Sequence, residues 1–320
     1  MGAWPTLRAR TGFGPRRLGM DAISGRLRVG VLFAAMKRTA VLLFSSPVAL
    51  ARKGVVAAIS QLLVSHQGSV LHSDDHVDSG RELFLSRLEW ELDDFDIPIS
   101  DFEKHFKPVA DQFKINYHLA LSDYRPKVAI LVSAEDHCLA DLLYRYSHGE
   151  LPCELTWIIS NHAKAKPLAD FHRVPFHLLT NPQDKQESEQ EMMELLGPDV
   201  DLIVLARYMQ ILSPEFVGHY LLRMINIHHS FLPSFMGAKP YHQAFERGVK
   251  LIGATSHYVT ASLDDGPIIE QDLVRVSHRD TVEDMMRKGR DLEKVVLSRA
   301  VRLHLENRVL VYQNKTVVFA

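Results

Sequence analysis

From residue 39 onward the spacing of hydrophobic positions switches repeatedly between the period of a strand and the period of a helix. Residues 39–45 read as a strand, 54–66 as an amphipathic helix, and 69–78 and 82–91 as two further strands. Residues 100–113 return to the helical period behind Ser100, a natural N-cap, and 115–120 close the series as a strand. Beyond residue 127 the pattern changes. Short apolar or β-branched runs at 128–133, 154–159, 176–179, 202–206 and 225–228 alternate with helical stretches at 136–147, 187–196 and 214–220. Such runs, buried on both faces, are those of a parallel sheet.

The order β-α-β-β-α-β over residues 39–121 is that of a ferredoxin-like half-sandwich, a frame used for regulation or pairing. It carries no evident catalytic constellation. Residues 122–127, Ser-Asp-Tyr-Arg-Pro-Lys, read as a linker, and 128–320 as an open, doubly wound, mostly parallel α/β domain. The second domain ends in a long charge-laced helix at 281–307 and a hairpin at 307–319 with its turn at Asn314 and Lys315. The predicted fold class is α/β throughout.

Charge changes the picture only at the N-terminus. The whole chain of 320 residues has a net charge of −2, but residues 1–38 hold seven Arg, one Lys and one acid, leaving the remainder acidic. The body therefore has no basic footprint for nucleic acid. The Arg-rich first segment predicts a targeting peptide and a mitochondrial destination, although Met20 and Met36 are alternative starts. Its apolar run at 29–36 is too short to span a bilayer, so no membrane partner is expected. Two cysteines, Cys138 and Cys153, are too few for a disulfide framework. Seventeen histidines invite a zinc reading, but no His-Glu-x-x-His or Cys-x-x-Cys spacing is present.

Candidate chemistry concentrates between residues 224 and 272. Met-Ile-Asn-Ile-His at 224–228 reads as a short buried strand, so Asn226 and His228 project from one face while Ile225 and Ile227 fill the other. His228 and His229, being adjacent, point to opposite faces. A strand ending in Asn and His and broken by Ser-Phe-Leu-Pro-Ser predicts a site at a sheet edge, and Leu-Asp-Asp-Gly-Pro at 263–267 brings Asp264 on a turn.

These segments, with Lys-Pro-Tyr-His-Gln-Ala at 239–244 and Gly-Ala-Thr-Ser-His-Tyr-Val at 253–259, resemble the formyltetrahydrofolate deformylases within the folate-dependent formyltransferase fold. The resemblance runs from about residue 39 to the C-terminus. It implies an ACT domain ahead of a hydrolase domain, a homo-oligomer, a small-molecule folate substrate, and no cofactor or metal. The implied reaction is hydrolysis of 10-formyltetrahydrofolate to formate and tetrahydrofolate, within one-carbon and purine metabolism. Asn226 is then the amide that donates to the oxyanion, and His228 donates there too and carries a proton to the leaving nitrogen. Asp264 orients and deprotonates water and holds His228. Met209, Gln210, Ile211 and Leu212 are implied to meet the pterin, with Gly237, Lys239 and His242 near the mouth.

Three departures bear on the reading. Relatives that formylate a phosphorylated amine wrap the phosphate in a Gly-rich loop after the first strand, whereas residues 133–139 here have no glycine and two acids. Water becomes the favoured acceptor. The first turn of the N-terminal domain, residues 46–54, lacks the Asp of the Pro-Asp-x-x-Gly pattern near effector sites. Ala261 and Ser262 stand where acids are frequent. Two competing readings share the motifs: a folate-binding regulator with an inactive site, and a formyltransferase to an amine.

Overall fold

In the computed structural model, residues 37–234 and 240–319 are described. The predicted targeting segment, residue 38 and Lys37 apart, and the candidate residues Gly237 and Lys239 lie outside them. The described chain divides into two units between Tyr124 and Arg125.

The first unit is a four-stranded antiparallel sheet in the order β2-β3-β1-β4, formed by β1 (Thr39–Pro47), β2 (Ser69–Asp78), β3 (Leu83–Glu91) and β4 (Asn116–Leu121). A short turn, α1 (Val48–Ala51), precedes α2 (Val55–Ser65), and α3 is Phe102–Phe113. Side chains two apart on a strand share a face. Ala40, Leu42 and Phe44 therefore join Leu88 and Trp90 against Ile59 and Leu63 of α2 and Phe102 and Phe106 of α3. Ser100 is not the N-cap of α3. Residues Ile99–Asp101 form a 3-10 turn in which the Asp101 amide already bonds the Pro98 carbonyl, so the helix starts at Phe102 without a capping side chain.

The second unit centres on a seven-stranded sheet in the order β11-β10-β9-β8-β5-β6-β7. Its strands are β5 (Lys127–Val132), β6 (Glu154–Ser160), β7 (Phe176–Leu178), β8 (Leu202–Leu205), β9 (Met224–His228), β10 (Leu251–Tyr258) and β11 (Ile268–Arg275). The first five pair in parallel, and β10 and β11 are antiparallel additions. The helices are α4 (His137–Ser147), α5 (Lys166–His172), α6 (Lys185–Leu196), α7 (Pro214–His219), α8 (Pro240–Arg247) and α9 (Val282–Leu305). The alternation of side chains splits the core in two. Ile130, Val204, Ile225 and Ile227 pack with Leu139 of α4 and Val296 of α9, whereas Leu131, Ile203 and Met224 pack with Met192 of α6 and Phe216 of α7. Thr281 caps α9 through a capping box with Asp284, an arrangement worth ~1 kcal/mol. The hairpin of β12 (Val309–Tyr312) and β13 (Lys315–Val318) follows.

Two features differ from the sequence pattern. Strand β9 is internal, flanked by β8 and β10, so Asn226 and His228 sit within the sheet and not on an edge strand. The reason is β10, which the apolar pattern does not reveal. It carries Gly253, Thr255, Ser256 and His257, yet all but its first residue are buried. Its polar side chains are satisfied internally, Thr255 Oγ1 donating to the Ser230 carbonyl at 2.9 Å and Ser256 Oγ to the Asn226 carbonyl at 3.0 Å.

Candidate active site

Residues 224, 226 and 228 of β9 share a face by the strand period, the face on which Met224 packs with α6 and α7. Asn226 and His228 therefore project together, as their spacing predicts. The connection from β10 to β11 folds back over this face and carries Asp264 with it. His228 Nδ1 donates to Asp264 Oδ2 at 3.2 Å, and the two side chains are 6% and 12% exposed. The other ring nitrogen, His228 Nε2, is buried and has no hydrogen-bond partner among the described residues. A buried polar atom of this kind normally finds a partner, so Nε2 is presented to whatever occupies the space before it.

Burial by itself raises the Asp264 carboxyl pKa, but the hydrogen bond and charge of His228, with the His257 ring beside it, outweigh burial and hold the group well below the usual carboxylate range. Asp264 is thus an anion at neutral pH, and its carboxylate accepts the Nδ1 proton of His228. Its backbone is left-handed, with φ +54°, as is that of Arg207 at +64°. A non-glycine residue held there costs ~1–3 kcal/mol, which the surrounding contacts must offset.

A residue that the sequence pattern did not single out completes this face. His257 is 2% exposed and lies opposite Asn226 in the β9–β10 register. Asn226 Nδ2 donates to its Nε2 at 3.3 Å, and Asp264 Oδ1 is 3.7 Å away. It occurs within the segment Gly-Ala-Thr-Ser-His-Tyr-Val, but nothing in the spacing marks it, because the pairing of β9 with β10 is what brings it to Asn226.

His229 does not point away from His228 as adjacent strand positions would, because it lies one residue past the end of β9, and the two rings are 5.1 Å apart. His229 Nδ1 accepts from Arg207 Nη1 at 2.8 Å. Burial, then the positive charges of Arg207 and His228, push the His229 imidazole down to about 4, so it is neutral near pH 7. Glu293, 1% exposed, accepts from Tyr241 Oη and from His137 Nε2, both at 2.8 Å, and lies 3.4 Å from Arg207 Nε. Burial opposes its ionisation, but His137, Arg207 and Tyr241 together keep its pKa below the ordinary value.

His137, Cys138 and Glu293 also bring ligand-type atoms within 4.8 Å of one another. The chemistry is poor for a cation. Glu293 is already engaged by two donors and faces a guanidinium, and burial pushes the Cys138 thiol pKa far up, away from the thiolate a metal needs.

The segment after β8 borders the site. The Met209 amide donates to Ser133 Oγ at 3.1 Å, joining the ends of β5 and β8, and the Ser213 amide donates to the buried Glu189 at 2.6 Å. Between these anchors Met209 and Ile211 are 57% and 63% exposed, Gln210 is exposed and Leu212 half-buried. Large apolar side chains left in water beside polar groups are what an aromatic ring ligand covers. The carboxyl ends of β5 and β8 are also where the strand order reverses, the usual place for a ligand in an open α/β sheet. His242 is exposed on α8.

Comparisons with known proteins identify the family. Residues 126–301 match the formyl transferase family. A formyltetrahydrofolate deformylase from Synechocystis is 51% identical over 284 residues, 88% of this chain and 99% of the relative. One from Bacillus subtilis is 47% identical, covering 83% of this chain and 90% of the relative. The crystal structure of a formyltetrahydrofolate deformylase from Pseudomonas syringae pv. tomato superposes with a TM-score of 0.86 at 47% identity, over 90% of this chain and 97% of that one. These relatives correct one expectation. They are bacterial, and bacteria have no mitochondrion to import into, so the mitochondrial destination inferred from the N-terminal arginines is overturned; a basic composition alone does not specify an organelle. With the fold shared and the match extending over most of both chains at these identities, the chain belongs to the formyltetrahydrofolate deformylase family.

Proposed function

We propose that the protein hydrolyses 10-formyltetrahydrofolate to formate and tetrahydrofolate, and that Asn226, His228 and Asp264 carry the reaction. The observation that supports it most is the state of His228, held at Nδ1 by an ionised carboxylate, with a buried Nε2 that has no partner among the described residues. Water attacks the formyl carbon, forming a C–O bond while the carbonyl electrons move to oxygen. Asn226 and the imidazolium of His228 donate to that oxyanion. Asp264 takes the water's proton, and His228 delivers one to the folate nitrogen as the C–N bond breaks. The products are the free amine and formic acid, which releases its remaining proton to solvent to become formate; the enzyme is restored when Asp264 releases the proton it took from water and His228 regains one at Nε2 from solvent.

Met209, Gln210, Ile211 and Leu212 are assigned to the pterin, with Gly237 and Lys239 at the mouth. The exposure of Met209 and Ile211 beside anchored backbone supports the first set. The reading of residues 39–121 as an ACT domain draws support from the β-α-β-β-α-β order and the β2-β3-β1-β4 sheet. The domain limits, with a linker at 122–127 ahead of a catalytic domain at 128–320, draw support from the division at Tyr124. A homo-oligomer follows from pairing of such domains, and light scattering on the purified full chain tests it, a monomer at all concentrations refuting it.

The decisive assay follows tetrahydrofolate and formate from 10-formyltetrahydrofolate without any amine. Formate release establishes the hydrolase. Turnover only when an amine is added establishes a transferase, and folate binding without turnover at any pH establishes a regulator. His228→Ala is expected to lower turnover by at least ~100-fold.

A further inference from the structure

We infer that His257 is a positioning residue for the hydrolysis: its neutral imidazole fixes the rotamer of the Asn226 amide so that an N–H faces the developing oxyanion. The inference rests on the reading of Asn226 as the oxyanion donor. It follows from three contacts. His257 Nδ1 lies 2.9 Å from the carbonyl oxygen of Tyr258. A carbonyl only accepts, so the ring proton is on Nδ1 and the lone pair of the neutral ring is on Nε2. That lone pair meets Asn226 Nδ2 at 3.3 Å.

An asparagine amide turned by 180° exchanges an oxygen for a nitrogen with almost no change of shape. What selects one orientation is the neighbour, and here the neighbour is an acceptor. One N–H of Asn226 is satisfied by His257, and the second N–H belongs to the same NH2 group on the face shared with His228. A proton on His257 Nε2 would oppose donor to donor and drive the amide over, presenting oxygen in place of N–H toward the oxyanion.

The surroundings enforce this arrangement. The β10–β11 ladder shifts register between Ser256 and His257, which places His257 opposite Ile268. His257 is 2% exposed and has no freedom to swing toward solvent. Gly266 lets the Asp264 loop pass directly over Tyr258, since a Cβ there would collide with the Tyr258 carbonyl that holds Nδ1. The groups facing the ring are Asn226, Asp264 at 3.7 Å, beyond hydrogen-bond length, and the Tyr258 carbonyl.

The test compares His257→Gln with His257→Met in the full chain, two side chains of similar reach. Gln places an amide oxygen where Nε2 lay and can accept from Asn226; Met cannot to any useful extent. His257→Met is expected to lose ~10–100-fold in kcat, the usual cost of removing an orienting partner, with KM for the folate within about threefold because the oxyanion exists only in the transition state. His257→Gln is expected to recover to within about fivefold of wild type by the same argument. Asn226→Ala/His257→Met is expected to match Asn226→Ala alone, because His257 acts through that amide.

Full activity in His257→Met, an equal loss in both single variants, or a double variant that multiplies the two losses overturns the inference. Near-normal turnover in Asn226→Ala alone overturns instead the reading of Asn226 on which it rests. Should His257→Met fail to fold, 15N-histidine NMR of the wild type, with the His257 signal assigned by its absence in His257→Gln, decides: an Nδ1–H tautomer at neutral pH supports the inference and an Nε2–H tautomer or an imidazolium refutes it.

Discussion

Nδ1 of His228 lies 3.2 Å from Asp264 Oδ2, and this contact joins the end of one strand to a turn 36 positions further along the chain. The carboxylate is ionised, little exposed and held on a left-handed backbone. It therefore fixes the orientation of the His228 ring through Nδ1 without moving with solvent. Replacing Asp264 with Asn keeps the volume and removes the charge, and turnover is expected to fall by at least ~100-fold, as for loss of a general acid or base. Steady-state formation of tetrahydrofolate by the purified variant measures this; near-normal turnover in folded Asp264→Asn would discard the proposed role.

Gly266 two positions later has no room for a side chain, because its Cβ would collide with backbone at Tyr258. Backbone does not yield as a flexible side chain does, so the Asp264 turn must lift. Gly266→Ala is expected to destabilise the protein by ~1–3 kcal/mol and to reduce kcat more than it changes folate binding. Urea unfolding and steady-state kinetics on the same preparation check both effects.

Glu293 ties α9 to Tyr241 of α8, His137 of α4 and Arg207 after β8. Glu293→Ala leaves the partly buried Arg207 cation without its carboxylate, a change that costs up to ~3–5 kcal/mol. The urea midpoint should drop accordingly. A midpoint within error of wild type would mean that the cluster contributes nothing to stability.

The His229 imidazole supplies a pH dependence whose sign is fixed by its direction of shift. Its ordinary value is 6.5 and the folded value about 4, so between these the unfolded chain binds a proton that the native state does not. Stability contributed by neutral His229 is present in full above about pH 6.5 and is lost as the pH falls toward 4. Urea midpoints between pH 7.5 and 4.5 should decline for the wild type and decline less for His229→Gln, whose amide oxygen still accepts from Arg207. Parallel curves for the two proteins would remove His229 from the account.

Local sequence determined much of this protein. The alternation of apolar runs and helical periods fixed where the parallel strands and most helices lie, since burial on both faces demands continuous apolar strands and burial on one demands a helical stripe. The spacing of Asn226 and His228 put both on one face, because strand geometry leaves no other choice; His229, one residue past the end of β9, escapes that rule, and its ring lies 5.1 Å from that of His228. What the chain could not disclose locally depended on contacts between distant segments. Strand β10 is polar in sequence and buried in the fold, its hydroxyls satisfied by β9 and by the Ser230 carbonyl, and its insertion beside β9 turned an expected edge into the interior of a sheet. That same pairing set His257 against Asn226, and the return of the β10–β11 turn set Asp264 against His228. Tertiary structure decided those partnerships because hydrogen bonds between buried polar groups are made by whichever segments meet, and no periodicity in the sequence records which ones do.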